Sequence, residues 1–449
     1  MKISNPATGA FLAEVGESDP PPIDSARKAQ KAWAERPLSD RLDVLRRFRT
    51  LLGERKEKLA QTLTAEVGKP ITQSRNEIDG TLRRIDFFLD AVPKVLHHDV
   101  VLREDQLEEK ISHEPLGVIL NISAWNYPYF VGSNVFIPAL LTGNAVLYKP
   151  SEYATLTGLA IGDLLRESGL EEGVFGVFPG GGEVGVKLLR QRVDGVFFTG
   201  SYATGKKIAE AAAGRMIPVQ LELGGKDPVY VCDDVDPQTA AAGIADGAFY
   251  NTGQSCCSVE RIYVHRKIYA SFVEAFLTVV QGFRIGDPTD PETYIGPLAR
   301  AAQLGILEDQ VADAVSKGAR LLCGGKRMNR AGNYFEPTVL TDARHDMKVM
   351  REESFGPLIG IMPAFDDLQA RELMNDTDYG LTAGVYSKDR ERAERILSKV
   401  RSGTAYWNCC DRVSPHLPWS GRGHSGIGTT LSTYGIHSFL QPKAWHLRG

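Results

Sequence analysis

Gly195-Val-Phe-Phe-Thr-Gly-Ser-Tyr-Ala-Thr-Gly205 is the stretch that decides the fold. Residues 195–198 are apolar and aromatic and predict a short buried strand, and the run from Tyr202 to Ala213 predicts a helix. Gly200 permits the tight turn between them. The free N–H groups where the helix begins, after Ser201, form an anion site suited to a diphosphate. Without a G-x-G-x-x-G pattern, that turn on its own is a structural strand-to-helix connection and no more.

Its neighbours change that. Four further β-rich runs flank it: Val118-Ile-Leu-Asn-Ile122, Ala145-Val-Leu-Tyr148, Val174-Phe-Gly-Val-Phe178 and Val219-Gln-Leu-Glu222. Helix-length segments at 134–142, 155–168 and 183–192 separate them. Five short strands joined by crossover helices predict an α/β, parallel, doubly wound sheet, which binds ligands beyond the C-terminal ends of its strands. From Pro228 a second α/β series begins, with strands at 229–232, 261–265, 357–362, 381–386 and 404–407 and helices at 237–250, 267–283 and 390–400. Residues 23–93 read as helices, with Leu42, Leu45, Phe48 and Leu52 at helical spacing. The polar stretch 95–114 reads either as a protruding hairpin or as a helix. No Pro/Ser linker or repeat separates the two α/β units, which are expected to pack closely.

At 449 residues the chain is too long for one core, and two or three domains are expected. A net charge of −4 gives no electrostatic footprint for nucleic acid or an anionic membrane. No apolar run approaches the roughly 18 residues of a membrane span. The N-terminus has no apolar signal region, so a cytoplasmic protein is expected. Six cysteines and nine histidines form no C-x-x-C, zinc-like spacing or H-E-x-x-H, so no metal is expected.

Chemistry concentrates in a few places. Cys256 lies in Asn251-Thr-Gly-Gln-Ser-Cys-Cys-Ser258, and Glu222 opens Glu-Leu-Gly-Gly-Lys226. A thiol and a lone carboxylate in Gly-containing loops suit two-step chemistry at a carbonyl: one forms a covalent adduct, the other activates the water that releases it. Lys149-Pro-Ser-Glu152 ends the second strand, where dinucleotide folds place a ribose-binding carboxylate; a surface Lys and Glu is the equal alternative. A carboxylate there would repel a 2′-phosphate and favour NAD over NADP. In Asn121-Ile-Ser-Ala-Trp-Asn126-Tyr-Pro128, the Asn126 amide could stabilise an oxyanion, or simply satisfy a loop.

Together these residues resemble the aldehyde dehydrogenase superfamily, from Asn5 to the C-terminal region. The matching motifs are Trp125-Asn-Tyr-Pro, Lys149-Pro-Ser-Glu, Phe198-Thr-Gly-Ser, Glu222-Leu-Gly-Gly-Lys, Gly253-Gln-x-Cys256 and Glu353-Ser-Phe-Gly-Pro357, in order and in register. The resemblance implies a Rossmann-type parallel-sheet cofactor domain (1–94 and 115–224), a second α/β catalytic domain (225–424) and a small β oligomerisation module (95–114 and 438–449) of a homodimer or homotetramer. It implies Cys256 as nucleophile, Asn126 with the Cys256 N–H as oxyanion hole, and Glu222 as general base. NAD, with NADP as the alternative, would be held by Ile122, Trp125, Lys149, Ser151, Glu152, Gly200, Ser201, Gly205, Leu223, Glu353 and Phe355. A small-molecule aldehyde would become the carboxylic acid through a thiohemiacetal and a thioester.

The chain departs from the family pattern in places. Ala124 replaces a Pro, and Thr430 stands where a second glutamate often assists the proton relay. Asn134 occupies a position where members acting on dicarboxylic semialdehydes often carry Arg, which argues against a distal carboxylate on the substrate. Tyr127, Val131, Ser255, Cys257, Val413 and Trp419 are expected to line the substrate mouth, suiting an apolar or aromatic aldehyde. Two other readings are a CoA-acylating dehydrogenase, which frequently lacks the Glu of Glu-Leu-Gly-Gly, and a catalytically silent structural homologue, which retention of Cys256, Glu222 and Asn126 disfavours.

Overall fold

The computed structural model describes residues 1–97 and 99–449. All five expected strands of the first α/β unit form, side by side in the order Phe175–Val177, Ala145–Lys149, Val118–Ile122, Gly195–Thr199 and Val219–Glu222, and all are mutually parallel. The first strand sits in the middle, so the chain winds outward in both directions from it and leaves a crevice at the switch point. Gly426–Ile427 adds an antiparallel edge, with Gly426 opposite Glu222. A segment far downstream therefore completes the sheet beside one of the candidate catalytic residues.

Four helices, Asp24–Glu35, Leu38–Glu54, Lys56–Val67 and Ile71–Val95, cover this unit. Leu42, Leu45, Phe48 and Leu52 are buried, as their spacing predicts. The helix expected at 134–142 instead begins at Pro128 and runs to Leu141. Its cap is not local. The Glu77 carboxylate, on Ile71–Val95, accepts the N–H groups of Tyr129 (2.9 Å) and Phe130 (3.4 Å). An anion satisfying the unpaired first-turn donors favours the helix start there, and nothing near residue 128 in sequence reveals it. Glu66 caps Thr155–Glu167 in the same way through Leu156 and Thr157.

The second unit is a seven-stranded sheet in the order Arg320–Cys323, Thr338–Thr341, Leu358–Ala364, Val259–His265, Asp227–Val231, Thr382–Tyr386 and Thr404–Trp407. Only Arg320–Cys323 is antiparallel to its neighbour. That strand, Thr338–Thr341 and the helices Ala302–Ser316 and Asp367–Asn375 add to the expected elements. Stretch 95–114 resolves as a hairpin, Asp99–Glu104 against Leu107–Pro115, and Leu440–Arg448 joins it in an antiparallel three-stranded sheet. His98, within that stretch, lies outside the described residues. Among the described residues no helix is long and apolar enough to cross a membrane, and no group of His, Cys, Asp and Glu is placed to hold a metal ion.

Candidate active site

Cys256 follows an unusual turn. Asn251, Thr252 and Gly253 have φ of 53°, 59° and 71°, three successive left-handed residues, two of them not glycine. Such backbone is costly and persists only when its surroundings hold it. Gln73 accepts the Asn251 N–H at 2.8 Å, and the Asn251 amide donates to the carbonyls of Asn126 (3.2 Å) and Gln254 (3.0 Å). Gln254 in turn accepts the Ala299 N–H at 2.9 Å. Gly253 is required for space as well: a Cβ there would lie 2.3 Å from the Gly356 carbonyl oxygen. The turn presents Cys256 and Cys257 just before Val259–His265.

The two thiols then part company. Cys256 is part-exposed and faces a cavity of about 1510 Å³, whereas Cys257 is buried and donates to the Asp411 carboxylate at 3.0 Å. The neighbouring Cys256 and burial push the Cys257 thiol well up. Asn126 donates through Nδ2 to the Gln254 carbonyl at 3.1 Å, which fixes its amide beside the Cys256 loop. Glu222 ends its strand as a buried carboxylate that accepts from the Thr430 hydroxyl and, at 3.3 Å, from the Gln220 amide. Burial raises its pKa; the Thr430 hydrogen bond, the Arg84 charge and Gln220 oppose that rise. Thr430 is positioned by reciprocal backbone hydrogen bonds with Trp419, 2.8 and 2.9 Å long.

Cys256, Asn126 and Glu222 all line that cavity. It opens where strand theory puts it, past the C-terminal ends of the first sheet, with Ile122, Phe198, Thr199 and Leu223 on its wall. Trp125, Lys149, Ser151, Glu152, Gly200, Ser201, Glu353 and Phe355 line it too. Gly205 does not; it lies against Leu223, where a Cβ would meet Cδ2 at 2.5 Å. Lys149 is buried, its ammonium bonded to the Pro150 carbonyl at 3.2 Å and 4.0 Å from exposed Glu152. Ser201 caps Tyr202–Ala213 by accepting the Thr204 N–H, and that helix start faces the cavity. The Glu353 carboxylate rests against Gly224 and accepts the Gly225 N–H at 3.2 Å; burial, reinforced by Glu260, pushes it up to about 8. Phe355 packs edge-on against Trp125, centroids 5.5 Å apart.

The volume exceeds the usual range for one small-molecule pocket and suits a dinucleotide with a substrate at its inner end. The donor set fits as well: a buried ammonium, an exposed carboxylate, a helix N-terminus and an enclosed carboxyl. Arg300, whose buried Nε has no partner among the described residues, and Gln303 also line it and carry no motif that sequence could have flagged. The six residues expected at the substrate mouth do not line this cavity. Ser255, Cys257 and Trp419 are buried, and Tyr127, Val131 and Val413 are half-buried. Alternation in sequence cannot show which of two faces of the Cys256 loop a side chain takes.

Known proteins agree with this architecture. The model of the aldehyde dehydrogenase family matches residues 1–445. "Aminoaldehyde dehydrogenase 2, peroxisomal" of Malus domestica is 35% identical over 462 aligned positions, which cover 99% of this chain and 91% of the relative. A crystal structure described as an E. coli NADP dependent enzyme superposes with a TM-score of 0.96 at 32% identity, covering 100% of this chain and 94% of that one. PnpE in complex with nicotinamide adenine dinucleotide gives 0.96 at 31% identity, with 100% and 94% covered. With the sheet order, the cavity and the thiol–amide–carboxylate trio, these matches mean that the chain belongs to the aldehyde dehydrogenase family.

Proposed function

We propose that the protein oxidises an aldehyde to its carboxylic acid with NAD(P), through a covalent adduct on Cys256 hydrolysed by water that Glu222 activates. One observation carries this: Cys256, Asn126 and Glu222 line the same cavity as the dinucleotide-type donors.

The Cys256 thiolate attacks the aldehyde carbon, and a C–S bond forms as the carbonyl oxygen takes the negative charge. One Nδ2 hydrogen of Asn126 is used on Gln254, which leaves the second, with the Cys256 N–H, for that oxygen. A dinucleotide held there would supply the hydride acceptor, and loss of hydride from this carbon would leave a thioester on Cys256. Lys149, Ser151 and Glu152 would hold the adenosine ribose, Ser201 and Trp125 the diphosphate, and Glu353 and Phe355 the nicotinamide riboside. Glu222 takes a proton from water as the water attacks the thioester, and the acid leaves as Cys256 is freed. Glu222 must be ionised for this step, and the hydrogen bond from Thr430 favours that form.

NAD is the preferred cofactor in this reading, because the Glu152 carboxylate lies where a 2′-phosphate would meet a like charge; similar structures are described with each cofactor. In this reading 1–94 with 115–224 hold the dinucleotide, 225–424 carry the catalytic thiol, and 95–114 with 438–449 would pair protomers into a dimer or tetramer. A cytosolic setting suits a free nucleophilic thiol beside a second thiol, since both must stay reduced. The test is NAD(P)H formation over an aldehyde panel with and without CoA, the product being identified. Acid without CoA is expected; signal only with CoA, or none, would overturn the proposal.

A further inference from the structure

Arg84, on Ile71–Val95, is 5% exposed. Buried Lys69 and Lys226 have carboxylate partners, Glu77 and Glu260, and buried Lys149 is bonded to the Pro150 carbonyl. Buried Arg261 spends its guanidinium on the carbonyls of Lys226, Leu373 and Met374. Arg84 differs. Its one hydrogen bond among the described residues runs from Nη1 to the neutral Asn134 Oδ1, 2.8 Å away, and it forms no ion pair there. The rest of its donor fork has no partner among the described residues, although a buried guanidinium ordinarily requires acceptors.

Its place is suggestive. The guanidinium lies 3.9 Å over the Phe130 ring, and Phe130 stacks on Tyr127 at 5.7 Å, the residue after Asn126. Gly80, one turn before Arg84, makes room: a Cβ there would be 2.4 Å from Phe130 Cζ. Burial pushes Arg84 down to about 10, against the fields of Glu222, Glu77, Cys257 and Cys256, so it stays cationic at neutral pH. Arg84 thus packs one aromatic ring away from Tyr127, the neighbour of Asn126, feels the charges of Glu222 and Cys256, and is absent from the wall of the cofactor cavity. The expectation of no distal carboxylate rested on neutral Asn134, but Asn134 accepts a hydrogen bond from a cation.

We propose that Arg84 is a specificity-determining residue that receives a carboxylate at the far end of the aldehyde, so that the preferred substrates are oxo acids. This rests on the Cys256–Glu222 reading. A planar fork matches a carboxylate bidentately, and a buried site built for it discriminates strongly against an analogue lacking that group.

The experiment compares unbranched ω-oxo acids of four to six carbons with the unsubstituted aldehydes of the same length, in wild type, Arg84→Gln and Arg84→Lys. Wild type should prefer an oxo acid by at least about 10-fold in kcat/KM, and Arg84→Gln should lower kcat/KM for it by about 100-fold, mainly through KM, with partial rescue in Arg84→Lys. The ratio of oxo acid to plain aldehyde is the readout. Wild type favouring the plain aldehyde would overturn the inference without any variant having to fold. An unchanged ratio in Arg84→Gln, with both substrates falling together, would do the same and assign Arg84 to the electrostatics of Glu222 and Cys256. If no aldehyde yields NAD(P)H, the oxidation reading fails and this inference with it.

Discussion

Cys256 and Cys257 are adjacent and chemically alike, and only their surroundings distinguish them. Cys256→Ala should lower aldehyde oxidation by at least about 10³-fold, while Cys257→Ala keeps most of it, measured as steady-state NAD(P)H formation. Equal losses would mean that the nucleophile is misassigned. Glu222→Gln should keep the burst of reduced cofactor and stall turnover; loss of the burst itself would contradict a purely deacylating base. Thr430 hydrogen-bonds directly to Glu222. Thr430→Val removes an interaction that favours the ionised base, so the acidic limb of the deacylation-limited rate should move to higher pH. A profile that stays in place would show that the hydroxyl does not tune the base.

Elements here are positioned by partners distant in sequence. The helix Pro128–Leu141 is capped by Glu77, and the Asn251–Gly253 turn is held by Gln73 and Asn126. Gly253 combines a φ of 71° with a Cβ position 2.3 Å from a backbone oxygen. Gly253→Ala should therefore cost about 2–4 kcal/mol of stability, read from denaturant unfolding, and should displace Cys256 as well. The motif around Cys256 was visible as residue types. Its strained backbone was not, because φ depends on the tertiary hydrogen bonds that repay the strain.

At the scale of the whole molecule, several acids are buried where the units meet. Asp227, at the head of an interior strand of the second sheet, accepts from the Thr382 hydroxyl at 2.6 Å, and burial raises its pKa from 3.8 to about 8. The fold thus keeps a proton that the unfolded chain has released between about 4 and about 8. That contribution to stability is complete at the acid end of the window and is lost as pH rises through about 8. Asp227→Asn, which can still accept from Thr382, should flatten the fall in Tm across this range; an unchanged slope would place the effect elsewhere. The hairpin exposes Val100 (49%), Val101 (57%) and Leu102 (37%). If the three-stranded sheet pairs protomers, Val100→Glu with Leu102→Glu should lower the mass seen by light scattering, and an unchanged mass would exclude this strand from the interface.

Local pattern determined the strand-helix alternation, the burial of the 42–52 helix face and the candidate trio, because side-chain period and motif residues are properties of neighbouring positions. It left 95–114 open between hairpin and helix, since pairing with Leu440–Arg448 is a long-range event. Only the tertiary structure turned Cys256 toward the cavity and Cys257 away from it. It also brought Thr430, three residues beyond the returning edge strand, across to Glu222 and set Arg84 beside Asn134. Burial, field and hydrogen-bond partners arise from residues far apart in the chain, and these decide which thiol reacts and which charge a substrate meets.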